Sequence, residues 1–143
     1  MSRPLTYMKY VPVATETEYP YTRSQTCIFR KALLGSFKIQ DYSRIQSNGK
    51  CDGLEDHILG VGTAIVTVRV VREFARYRSG ILECPANLKG INHAVIAIGV
   101  TPDSWRLQNS WGARWGDEGY VSISKDPTLN CNLCGYSPFA ATV

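Results

Sequence analysis

The 143-residue chain lacks any apolar run near the ~20 residues that a membrane-spanning helix needs, so the sequence predicts no membrane segment. It also lacks internal repeats, low-complexity tracts, a GxGxxG motif and a P-loop, the motifs that commonly bind nucleotides. With 44% apolar and 20% charged residues, the composition argues against disorder. The length fits one compact domain, because single domains cluster near ~100–150 residues.

An excess of charge is also missing. Sixteen Lys and Arg residues against twelve Asp and Glu residues leave a formal net charge of +4. A protein that neutralises phosphates usually carries a denser basic stripe, so we expect no nucleic-acid partner. Arg69, Arg72 and Arg76 together form a candidate basic face for an acidic partner, although a solvated face is the commoner explanation of such a pattern.

Cysteine is too scarce for a disulfide-stapled miniprotein, in which it exceeds ~8–10% of residues. The five cysteines are an odd number and leave at least one thiol without an internal partner. Cys131 and Cys134 form a CxxC pair, but zinc sites usually need a second such pair and redox motifs need a thioredoxin-like context. We therefore expect no metal and no cofactor, with one of the two cysteines in a disulfide and the other spare.

The apolar pattern predicts several strands and a few short helices. Residues 63–70, 91–100, 105–108 and 120–124 are β-branched, apolar or alternating and are typical of strands. Residues 5–10, 52–59 and 72–77 are candidates for short helices. This balance predicts an α+β domain with mostly antiparallel pairing.

Two polar residues stand beside the most apolar segments. His93 interrupts the strand INHAVIAIGV, and Asn109 begins NSWG. Histidine is the usual general base near neutral pH, and an asparagine amide oxygen can fix its tautomer. A lone histidine in a strand is nevertheless more often a core residue, so the chemistry depends on what surrounds it.

The surrounding motifs carry a resemblance. The order and spacing of Asn92-His93-Ala94-Val95, Gln108-Asn109-Ser110-Trp111-Gly112 and Trp115-Gly116 resemble the papain-like, cathepsin-type cysteine peptidases. Further agreement comes from Glu18-Tyr-Pro-Tyr21, from the segment that runs from Phe74 to Ile81, and from Cys134-Gly135. The resemblance covers roughly residues 5–136.

The resemblance implies a fold of two halves that face across a cleft, of which this chain matches the right, barrel-like antiparallel half. Residues 1–18 then correspond to a remnant helix and linker of the left half, and residues 19–143 to the right half. It assigns His93 as the base, Asn109 as its orienting partner and Trp111 as the shielding indole. The implied wall of the substrate pocket consists of Thr67, Ile91, Ala94 and Phe139.

For the cysteines, the resemblance implies a disulfide between Cys84 and Cys134. Cys27 matches a family cysteine that bridges to the left half, so it is the candidate for the unpaired thiol. Cys51 and Cys131 have no clear family counterpart.

The family's nucleophile motif, Cys-Gly-Ser-Cys-Trp, does not occur in the chain. A base without a nucleophile forms no acyl-enzyme, so we expect the chain alone to be inactive. The first hypothesis is a truncated, non-catalytic structural or binding protein whose former cleft face docks on a protein partner. The alternative is one chain of a split or processed peptidase that provides the base to a chain with the cysteine. A fragment of an ordinary peptidase is a third possibility.

The expected compartment depends on the same alternatives. The first residues lack the apolar core of a secretory signal, so a chain translated as written is expected in the cytoplasm. A fragment of a full-length peptidase would be lysosomal or secreted, as the family typically is.

Overall fold

The computed structural model describes residues 2–22, 24, 35–46 and 51–143. Contacts between Cα atoms divide the chain into two units, Met1–Ser43 with Ala141–Val143, and Arg44–Ala140. The boundary expected between residues 18 and 19 stays a prediction. Among the described residues, no helix combines the length and the apolar character that a membrane crossing requires.

The first unit contains helix α1 (Ser2–Tyr10), which buries Leu5. Ile39 is also buried, and its amide donates to the Met8 carbonyl at 3.3 Å. Val13 and Phe37 exchange two backbone hydrogen bonds. These contacts hold residues that are distant in the sequence against the helix.

The second unit holds two further helices and the centre of a sheet. Helix α2 (Asp52–Gly60) has Asp52 and Glu55 in its first turn, where the helix dipole favours acidic residues, and it buries Leu54. Helix α3 (Arg72–Ala75) is a single turn that buries Phe74 completely. Both helices lie where the apolar pattern predicts them, although α3 ends two residues earlier.

Seven described strands form one sheet. Their bounds are β1 (Asp41–Arg44), β2 (Ala64–Val68), β3 (Ile81–Leu82), β4 (His93–Val100), β5 (Ser104–Gln108), β6 (Tyr120–Ser124) and β7 (Phe139–Thr142). The order across the sheet is β1-β7-β2-β4-β5-β6-β3. Strand β2 pairs with β4 and β7, and β5 pairs with β4 and β6, all antiparallel, whereas β3 pairs with β6 in parallel. The α+β prediction is confirmed, and the sheet is mixed.

The core of the second unit lies under the central strands. Val66, Val68, Leu107, Val121 and Ile123 have no solvent exposure, as the alternating pattern of these strands requires. Their burial fixes the register, because a slip of one residue would turn every apolar side chain to the opposite face. The ends of β4 and β5 are therefore held in fixed positions relative to one another.

Two disulfides close this core, and they correct the sequence-based pairing. The structure joins Cys84 to Cys131 and Cys51 to Cys134, so the predicted bond between Cys84 and Cys134 is wrong. The expectation of a spare thiol in the CxxC pair is wrong as well, because both of its cysteines are bonded. The reason is spatial: the tight turn at residues 131–134 places the two thiols against different elements. Cys27 lies outside the described residues.

Candidate active site

The sheet brings His93 and Asn109 together. His93 opens β4 and is paired with Val68 of β2, while Asn109 directly follows the last residue of β5. The backbone N–H of Asn109 donates to the Gly119 carbonyl at 2.9 Å, and this bond holds the loop after β5 against the start of β6. Because β4 and β5 are antiparallel neighbours, the first residue of β4 and the residue after the end of β5 lie on the same side of the sheet, at the ends of adjacent strands.

The hydrogen bond between these residues defines the state of the imidazole. His93 Nε2 lies 2.8 Å from Asn109 Oδ1. The same oxygen accepts the backbone N–H of Ser110 at 2.8 Å, and that donor is unambiguous. Since Oδ1 can only accept, Nε2 must carry a proton. In the neutral ring Nδ1 is then the free acceptor, which is the arrangement of a general base.

Aromatic rings enclose this hydrogen bond. The Trp111 indole lies 5.1 Å from the His93 ring, measured between ring centroids, and is 42% exposed. The Phe74 ring lies nearly perpendicular to the rings of His93 and Trp111, at 6.3 and 5.7 Å between centroids, and stacks on Trp115 at 5.2 Å. Rings in these positions exclude water from the imidazole–amide bond and strengthen it. The sequence indicated Trp111 but not this contact of Phe74.

The amide nitrogen of Asn109 is a second notable group. The residue is 91% buried, and Nδ2 has no hydrogen-bond partner among the described residues. A buried donor of this kind costs free energy unless it finds an acceptor, so it favours a bound water or a group from another polypeptide at this point.

A shallow groove of about 490 Å³ runs beside the pair. It is lined by Ile65, Ala94, Val95, Ile96, Gln108, Asn109 and Ser110. Cross-strand pairing explains its floor, because Ile65 lies opposite Ile96, and Ile96 lies opposite Gln108. The groove is largely apolar, with the polar groups gathered at the end where Asn109 lies.

Of the four predicted pocket-wall residues, Ala94 is the one that lines this groove. Thr67 pairs with Ala94 but is buried, and its hydroxyl has no partner among the described residues. Phe139 pairs with Ile65 and is covered by the Arg44 guanidinium at 5.3 Å. Ile91 is half-buried just before β4. The sequence motifs did not point to Ile65, Ile96 and Gln108. The available signal was the alternation of side chains between the two faces of β2, β4 and β5.

None of the described residues brings a free thiol to this site. All four described cysteines are in disulfides. Nor does the described part of the chain contain a cluster of three His, Cys, Asp or Glu side chains that could hold a metal ion. The site thus presents the imidazole of His93 with Nδ1 free to accept, the side-chain amide of Asn109 bonded to Nε2, and the rings of Phe74 and Trp111 beside them.

Comparison with known proteins adds independent evidence. The family described as papain family cysteine protease matches residues 1–141. A cathepsin L-like proteinase of Fasciola hepatica is 33% identical over 141 residues, which are 94% of this chain and 42% of that protein. Cysteine proteinase 2 of Zea mays is 33% identical over 149 residues, with 98% of this chain and 40% of that protein covered. The chain therefore spans about two-fifths of the length of these curated relatives.

Solved structures show the same likeness. The Carica candamarcensis cysteine protease CMS1MS2, solved with E-64, superposes with a TM-score of 0.79 at 28% identity and covers 96% of this chain and 65% of its own. The bromelain protease of Ananas comosus, solved with the E64 inhibitor, gives a TM-score of 0.76 at 27% identity, covering 97% and 66%. The fold of the described residues is papain-like, and the chain belongs to the papain family of cysteine proteases.

Proposed function

We propose that this chain provides the general base of a thiol peptidase site whose nucleophile comes from residues outside these 143. One observation carries the proposal: the 2.8 Å hydrogen bond from His93 Nε2 to Asn109 Oδ1 leaves Nδ1 free to accept a proton. The family membership and the shielding by Trp111 support it.

The residues present would act in two steps. Nδ1 of His93 takes the proton of an incoming thiol, and the resulting thiolate attacks the peptide carbonyl. The Asn109 amide keeps the ring in position while it is charged, as its oxygen accepts from Nε2–H in both states. The imidazolium then returns the proton to the leaving amine, and the acyl-enzyme is hydrolysed by a water that His93 activates in the same way.

A second candidate is a non-catalytic binding protein that docks its cleft face on a protein partner. The observation that favours it is the absence of a free thiol near His93 among the described residues, together with the missing Cys-Gly-Ser-Cys-Trp motif. The 42% exposure of Trp111 gives this surface an aromatic group that a partner can cover.

The cysteines also bear on the compartment. Two disulfides among the described residues favour an oxidising environment, because the cytosol keeps thiols reduced. This supports a lysosomal or secreted location over a cytoplasmic one.

The test is purification of the native complex followed by mass spectrometry and a peptidase assay. We expect the chain alone not to hydrolyse a fluorogenic peptide, and the complex to hydrolyse it and to contain a second chain, or a longer form of this chain, with an alkylatable cysteine. His93→Ala should lower kcat by roughly 10²–10⁴-fold, whereas His57→Ala, at the other histidine, should not. A native complex that has an unrelated partner and no activity would establish the binding protein instead.

A further inference from the structure

Four arginines lie on α3, directly after it, and in the loop that carries Trp115. We call them the arginine patch: Arg72, Arg76, Arg78 and Arg114. Arg72 and Arg76 are four residues apart, which places them one helical turn from each other. The Trp115 indole N–H donates to the Ala75 carbonyl at 3.1 Å, and the Arg78 guanidinium donates to the Arg114 carbonyl at 3.3 Å. These two bonds hold the segment 72–78 against the loop at Arg114 and Trp115, so the four arginines lie on neighbouring segments.

The charge of the patch is not neutralised within the described part of the chain. All four side chains are exposed and none forms an ion pair with a described residue, although Lys9, Arg106 and Lys125 each do. Even Glu73, which lies between Arg72 and Arg76 in the sequence, makes no ion pair with them. The patch and Glu73 together carry a net charge of +3, most of the +4 of the whole chain. Like charges held together in this way favour the arrival of opposite charge.

The chemistry of the patch indicates the kind of partner. A guanidinium group binds a carboxylate through two parallel hydrogen bonds, which an ammonium group cannot do. Trp115 also packs against the exposed ring of Trp111, at 5.2 Å between centroids. Arginine beside an exposed tryptophan is the combination enriched at the centre of protein–protein interfaces.

We propose that the arginine patch binds an acidic segment of a partner polypeptide that extends along α3 to the exposed face of Trp111. The proposal does not depend on His93 as a base, because the patch makes no hydrogen bond with His93 or Asn109 within the described residues. Binding at the patch and proton transfer at His93 can therefore be tested separately.

The experiment measures fluorescence anisotropy of a labelled peptide of six glutamates added to the full 143-residue chain at low and moderate salt. We expect binding that weakens as the salt concentration rises. The double substitution Arg76→Gln and Arg114→Gln should weaken it by roughly tenfold or more, since each removes a charge-assisted contact. The matched control, Arg3→Gln with Lys38→Gln, removes the same charge from two exposed positions of the first unit and should change affinity by less than about twofold.

Any of four outcomes would overturn the proposal. Equal losses in the two double variants would mean that overall charge, and not the patch, attracts the peptide. Binding of a six-glutamine peptide as tight as that of six glutamates, or no measurable binding of either, would exclude an acidic ligand. Binding of a heparin-derived hexasaccharide more than about tenfold tighter at equal ionic strength would identify a sulfated polysaccharide as the partner instead.

Discussion

Phe74 illustrates at the scale of one residue how a buried ring can hold a polar site in place. Its side chain has no solvent exposure and contacts three other rings, those of His93, Trp111 and Trp115. The His93 imidazole lies nearly perpendicular to this ring, at 6.3 Å between centroids, while Nε2 bonds to Asn109. Because close-packed interiors leave little room for side chains to move, a buried ring at this position restricts rotation of the imidazole.

Replacement of Phe74 should therefore affect both stability and the histidine. We expect Phe74→Ala to lower the free energy of unfolding by about 3–5 kcal/mol, as large core truncations do, measured by urea denaturation. Leu59→Ala, at an exposed position of α2, is the control and should change stability by less than about 0.5 kcal/mol.

A milder variant separates packing from positioning. In Phe74→Leu, which keeps a large apolar side chain, the proton on His93 Nε2 should exchange with water faster than in the unchanged chain, as followed by NMR. A variant with unchanged exchange of this proton would show that Phe74 supports the core but does not position the imidazole.

The sequence points to His93, Asn109 and Trp111 because they occur in short motifs that carry the family resemblance. The order of His93, Asn109 and Trp111 along the chain is visible without coordinates. The contacts of Phe74 could not be predicted from the sequence, because they join residues that are up to 41 positions apart. Only the packing of α3 on the sheet brings them into contact.

At the scale of elements, the central strands were predictable and the shortest strands were not. Strand β6 lies at residues 120–124 as predicted, β4 and β5 differ from prediction by one or two residues at their start, and β2 is one residue shorter at its start and two residues shorter at its end. Strands β1, β3 and β7 have two to four residues each, too few to show a period. They form because a neighbouring strand offers hydrogen bonds, which is a tertiary effect.

The turn after β6 is an element whose stability should depend on pH. The Thr128 hydroxyl donates to Asp126 Oδ1 at 2.7 Å, and this bond, with the Thr128 amide as a second donor, holds the pKa of the Asp126 carboxyl below its ordinary value. A carboxyl whose pKa is lower in the folded state stabilises the fold above its unfolded pKa of about 3.9. That contribution is lost as the pH falls through the folded value.

Thr128→Val removes the hydroxyl and keeps the shape and the amide. We expect the Asp126 pKa to rise toward its ordinary value, measured by NMR titration of the carboxyl carbon. Thr63→Val, at an exposed threonine before β2, should leave it in place. An unchanged Asp126 midpoint in Thr128→Val would contradict the role of the hydroxyl.

At the scale of the whole molecule, the two disulfides converge on a single turn. Residues 131–134 are joined to the start of α2 through Cys51 and to the segment after β3 through Cys84. The bonds span 83 and 47 residues of sequence. Loops of this length lose much conformational entropy on closure, so each bond constrains the unfolded chain strongly.

Each bond should therefore contribute substantially to stability. We expect Cys51→Ser with Cys134→Ser, and Cys84→Ser with Cys131→Ser, each to lower the free energy of unfolding by roughly 4 kcal/mol, measured by denaturant titration without reductant. Peptide mapping under non-reducing conditions should recover the pairs Cys51–Cys134 and Cys84–Cys131. A linked peptide that joins Cys84 to Cys134 would restore the pairing that family resemblance implied.

The fold class and the central strands follow from local patterns, and the short motifs that carry the family resemblance point to His93, Asn109 and Trp111. Alternating burial and contiguous motifs involve neighbours in sequence, whose preferences act over a few residues. The partners of Cys51 and Cys84, the groove floor at Ile65 and Ile96, and the contact of Phe74 with His93 were decided only in three dimensions. Each depends on which distant segments the sheet brings together, and that choice is made by the free energy of the whole packed core.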